Sequence, residues 1–88
     1  MNEDIKLFYI DKIGKNIIYQ VEKIDEEIDE VVEALINNDT DNIIEECWDV
    51  IQAILGLIKI KGLEKEFKKG FEKHKGKMLS RGYKLEQM

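Results

Sequence analysis

The sequence predicts an all-α protein of four-helix-bundle type, with its core completed by homo-oligomerisation. Three observations carry that prediction. The 88-residue chain contains no proline, so nothing in it removes a helical N–H. Apolar residues recur at alternating threes and fours, the period of one helix face. One segment carries an apolar arc wider than a single antiparallel neighbour can bury. At this length the chain is a single domain, 1–88, near the size where a lone core is only marginally stable.

The first helix is expected over Asp4 to Ile13, with Ile5, Phe8, Tyr9 and Ile13 inward and a break or bend near Gly14. The second runs from Lys15 to about Asn37, its stripe formed by Ile17, Val21, Ile24, Ile28, Val31 and Leu35. Asn37 to Asn42 is a polar turn, and Asn42 with Glu45 stands at capping-box spacing. The third helix spans about Asn42 to Lys61, and Gly62 is a natural stop. Its broad arc includes Ile43, Ile44, Trp48, Ile51, Leu55 and Ile58, about half the cylinder, which suits a central helix that also meets another subunit. A last helix, about Leu63 to Ser80, turns Leu63, Phe67, Phe71 and Met78 inward and most lysines outward, ending at Arg81-Gly82-Tyr83.

Charge is strongly segregated. From Glu22 to Asp49 there are twelve acidic residues and one base, Lys23; from Lys59 to Lys84 there are ten bases and three acids. The two halves can neutralise each other, or jointly hold a metal and a polyanion. A pI near 4.9 argues against nucleic acid as the partner. Cys47 is the sole cysteine, which excludes an intramolecular disulfide and fits a reducing cytoplasm. The opening Met1-Asn2-Glu3-Asp4 does not read as a signal peptide, and the Val50–Ile58 apolar run is too short to span a bilayer.

Two carboxylate pairs at helical i,i+3 spacing are the chemical signal: Glu27 with Glu30, and Glu46 with Asp49. Such neighbours lie on one side of a helix and repel each other. At ~100° per residue both pairs border the apolar stripe, with Ala34 and Ala53 continuing their rows. Small residues there let the two helices approach closely. Two pairs brought face to face are unstable without a cation between them, so the pattern points to divalent-metal chemistry. Glu22, Glu26, Asp29 and Glu33 point mostly away from the stripe.

The run Glu26-Glu27-Ile28-Asp29-Glu30, Ala34-Leu35, a short polar gap, then Glu45-Glu46-Cys47-Trp48-Asp49-Val50-Ile51 resembles the EExxE…ExxD signature of MazG-type all-α nucleoside triphosphate pyrophosphohydrolases. Gln20 and the basic close from His74 to Tyr83 also resemble short bacterial and phage members. The resemblance implies a four-helix architecture built as a homodimer or homotetramer. It implies Mg²⁺, with Mn²⁺ as an alternative, on Glu27, Glu30, Glu46 and Asp49. The implied reaction is hydrolysis of an NTP or dNTP to a monophosphate and pyrophosphate. Glu26 and Glu45 are candidates for orienting the metal ligands or acting as general base.

Gln20, Lys77 and Arg81 are the substrate-binding candidates, the arginine because its guanidinium forks onto phosphate. The closing segment lacks a clear counterpart of an asparagine that relatives carry. His74 reads as a packed residue and Asp39 to Asn42 as turn and cap. Trp48 reads first as a core or interface side chain and second as a stacking partner for a base. Phe8, Tyr9, Tyr19 and Gln20 could line a nucleobase pocket. Two alternatives stand beside this reading: the related phosphoribosyl-ATP pyrophosphohydrolases, and a non-catalytic helical module that uses the broad arc to bind a partner.

Overall fold

A computed structural model describes residues 5–11 and 14–88. Three helices account for most of them: α1 (Ile17–Ile36), α2 (Thr40–Ile60) and α3 (Glu64–Ser80). No strand occurs among the described residues. The all-α class therefore holds, with three helices among the described residues.

Each boundary has a local cause. The Asn16 side chain caps α1, its Oδ1 accepting from the amides of Ile18 (3.0 Å) and Tyr19 (3.2 Å). Asn38 then turns into the left-handed region at φ 52°, which an asparagine tolerates, and Asp39 N–H donates back to Ala34 O at 3.2 Å. Asp39 itself opens α2, its Oδ1 accepting from Asn42 N at 3.2 Å. The expected Asn42–Glu45 capping box is thus replaced by a cap three residues earlier, and the connection shrinks to 37–39. Gly62, at φ 66°, closes α2 as expected, with Leu63 N–H reaching Ile58 O at 3.0 Å. Gly82, at φ 87°, closes α3 in the same way through Tyr83 N–H and Met78 O at 3.2 Å.

The short connection folds α1 and α2 into a close antiparallel pair, whereas α3 meets α2 only lightly. Gln20, Glu27 and Ala34 are the buried residues of α1, and Ala53, Leu55 and Gly56 those of α2. On α1 this buried row lies roughly 80–100° round the cylinder from the centre of the apolar stripe, at ~100° per residue. The apolar stripe is therefore only partly covered: Ile24 and Val31 are half-buried, while Val21, Ile28 and Leu35 are exposed. The face turned to α2 is the one bearing carboxylates and a small residue. On α2, Ile44, Trp48, Ile51 and Ile54 are also exposed.

Of the segment expected as the first helix, the described residues 5–11 are not helical. Residues 5–11 form an irregular strap held to α2 by two side chains: Gln52 Nε2 donates to Phe8 O at 2.8 Å and Lys59 Nζ to Ile10 O at 2.7 Å. Backbone carbonyls satisfied from another element need no helix. Ile5 and Phe8, expected inward, are more than half exposed. Asp4 and Ile13, the expected ends of that helix, lie outside the described residues. On α3 no residue is buried, so Leu63, Phe67 and Phe71 are also exposed and not inward. Phe67 and Phe71 face a groove of about 1050 Å³ that separates α3 from the strap.

Candidate metal centre

The α1–α2 seam brings the two acidic pairs together. Glu27 and Glu30 approach from α1, Glu46 and Asp49 from α2, and one carboxylate oxygen of each lies within 4.8 Å of all the others. The sequence explains the approach. Ala34 and Ala53 are buried in the same rows, at 1% and 8% exposure, and neither has a side chain that would hold the helices apart. Gln20 locks the register, its buried Nε2 donating to Ala53 O at 2.7 Å.

Glu27 is the deepest member, 5% exposed, and its two oxygens differ. Oε1 lies 2.9 Å from the Lys23 ammonium one turn earlier. Oε2 is buried and meets no hydrogen-bond donor. Glu46 Oε2 is orphaned in the same way. Buried carboxylate oxygens are ordinarily paired, and two orphans in one cluster mark a place for a cation or a proton. Glu46 reports the strain: hydrogen bonding to Glu30, removal from water and the charges of Glu30, Asp49 and Glu27 push its carboxyl up to about 7 from 4.5. Lys23 is held protonated beyond its ordinary range, first by its hydrogen bond to Glu27.

The donor set is all carboxylate oxygen, which suits Mg²⁺ or Mn²⁺ and not a thiol- or imidazole-seeking metal. A divalent cation fits both the charge and the orphaned atoms.

The other expected residues are distributed more widely. Glu26 is exposed and 3.9 Å from Lys23, and Glu45 is exposed on α2. Gln20 sits in the helix seam, engaged with backbone. Lys77 and Arg81 are exposed at the end of α3, and neither joins an ion pair among the described residues. His74 lines the groove beneath α3. In the sequence Lys23 stands out only as the lone base of an acidic run. Its i,i+4 spacing to Glu27 was the available signal for its contact with the cluster.

Among known families, the model for phosphoribosyl-ATP pyrophosphohydrolase matches residues 3–75. The match falls on one of the two alternatives to the general nucleoside triphosphate hydrolases. No curated protein and no solved structure matches the chain.

Proposed function

The chain belongs to the phosphoribosyl-ATP pyrophosphohydrolase family, and on that premise we propose that it is a Mg²⁺-dependent hydrolase of a nucleoside triphosphate group. Water adds at the anhydride between the α and β phosphates, and a nucleoside monophosphate and pyrophosphate leave. The observation that carries this reading is the convergence of four carboxylates within 4.8 Å, two of them with an orphaned buried oxygen.

Glu27, Glu30, Glu46 and Asp49 would hold the metal. Bound there, Mg²⁺ would offset triphosphate charge and lower the pKa of an attacking water. Lys23 fixes Glu27 through one oxygen and leaves the other buried without a donor. Glu26 and Glu45, both solvent-accessible, are the candidates for taking the water's proton. Lys77 and Arg81 are the candidates for meeting phosphate oxygens as they develop charge. An exposed thiol at Cys47 fits a reducing cytoplasm, where such substrates are abundant.

The substrate is read as a free NTP or dNTP, on the metal motif. Phosphoribosyl-ATP is the second reading, favoured by the family match. Exposed apolar side chains on all three helices support assembly of two or four copies, with the missing helical neighbour supplied by another copy. No described helix is long and apolar enough to cross a membrane.

The test is pyrophosphate release with Mg²⁺ across the common NTPs and dNTPs, modified forms and phosphoribosyl-ATP. Turnover of at least one, abolished in Glu27→Gln and Asp49→Asn with helical circular dichroism intact, is expected. Silence across the panel, or near-normal turnover in both variants, overturns the reading and favours a binding module.

A further inference from the structure

A recess of about 490 Å³ opens between the strap and α2, and its wall includes Lys6, Phe8, Trp48, Asp49 and Gln52. Asp49 belongs to both this recess and the acidic cluster. Resting on the hydrolase reading above, we propose that the recess seats the heterocyclic base of the substrate, with Trp48 as its stacking surface.

Four observations point the same way. The volume lies within the roughly 300–1,000 Å³ of small-molecule pockets. Its wall is mostly apolar, yet it adjoins an anionic metal-type cluster through a shared residue. A molecule with an anionic end and a flat apolar end matches that division, and a nucleotide has both. Trp48 and Phe8 keep 43% and 67% of their surface exposed, so their ring faces are not consumed by the chain's own core. The wall is also fixed: the Gln52 amide holds Phe8 O at 2.8 Å, and Lys59 holds Ile10 O at 2.7 Å. The larger groove under α3 shares Leu7 and Phe8 but none of the four carboxylates, so it offers no continuity with the phosphates.

Trp48 is the chain's sole tryptophan, which makes its emission a direct reporter. The 88-residue protein with Mg²⁺ is titrated with an α,β-methylene nucleoside triphosphate and, separately, with inorganic tripolyphosphate, binding of each being followed by calorimetry. The nucleotide should quench Trp48 saturably, and tripolyphosphate should bind without doing so. Trp48→Ala should raise KM about tenfold or more, as loss of base stacking does, with kcat and tripolyphosphate affinity unchanged. Trp48→Phe should recover most of that loss and guards against misfolding in the alanine variant.

Equal quenching by both ligands, or an unchanged KM in a protein that turns nucleotide over, overturns the base seat while leaving the hydrolase reading intact. Sedimentation of Trp48→Ala as a smaller species assigns the side chain to a subunit interface and overturns it too. Absence of binding by both ligands together with no pyrophosphate release removes the hydrolase reading, and the base seat with it.

Discussion

Replacing Glu27 by glutamine separates metal binding from folding, because the two respond with different sizes. Glutamine keeps the shape of a side chain that is 5% exposed, so little packing is lost. It also loses the 2.9 Å pair with Lys23, an i,i+4 helix pair worth about 0.3–0.5 kcal/mol. Against this, one negative charge leaves a cluster in which four carboxylate oxygens lie within 4.8 Å. The two effects oppose, and the metal-free variant should melt within a few degrees of the parent. Metal binding is a different matter. A cation present at 100 times its Kd stabilises the folded state by about 2.7 kcal/mol. At 4–8 °C per kcal/mol for a domain of this size, that is a rise of roughly 10–20 °C. The assay is thermal denaturation in chelator and then in excess MgCl₂, at matched ionic strength set with NaCl. The parent should show the full rise and Glu27→Gln little or none. An equal rise in both proteins would refute the argument, since the metal would then sit elsewhere. So would a large drop in the chelated variant, because Glu27 would then serve mainly to hold the fold.

Four further outcomes are expected. Glu46 is pushed up to about 7 from 4.5, so the folded metal-free protein favours its proton. Its contribution to stability is full below about 4.5 and is lost as pH rises through about 7; Tm in chelator should therefore fall over that window, and Glu46→Gln should flatten the fall. Gln20→Ala strips a buried donor from Ala53 O, at about 1–3 kcal/mol; Tm should drop with KM little changed, and the reverse pattern would give Gln20 to substrate. Arg81→Ala should raise KM for the triphosphate more than it lowers kcat, and steady-state kinetics with unchanged KM would make the arginine structural. Leu35→Glu, on an exposed end of the α1 stripe, should cost within about 0.5 kcal/mol if water covers that face; dissociation to the 10.3 kDa monomer in sedimentation instead would show that another copy covers it.

The parts of this molecule that were legible in the sequence are those governed by local rules. Helix periodicity, the stop at Gly62 and the small residues at Ala34 and Ala53 all depend on neighbours within a turn or two. The carboxylate convergence was legible because two i,i+3 pairs on consecutive helices, separated by a short turn, have few ways to face each other. The strap was not. Its spacing of Ile5, Phe8 and Tyr9 covers little more than one turn, too little to fix a helix. What determines its path is supplied by Gln52 and Lys59, whose side chains hold carbonyls 44 and 49 residues away.

The rotation of α1 was also hidden, and it follows from the site. A helix with one apolar stripe and one acidic row can turn only one of them fully toward its partner. Here Gln20, Glu27 and Ala34 take the seam, and Val21, Ile28 and Leu35 are left outside. The choice weakens the chain taken alone: among the described residues its buried hydrophobic side chains are Ala34, Ala53 and Leu55. So few fully buried apolar side chains, with the rest of the apolar surface only half-covered, leave a domain of this length marginal when alone. The displaced apolar surface and the orphaned carboxylate oxygens are thus two consequences of one arrangement. A cation in the seam would answer the second, and burial of the outer faces against another copy would answer the first. Metal-free and metal-loaded melting at several protein concentrations separates the two contributions, because only burial against another copy varies with protein concentration.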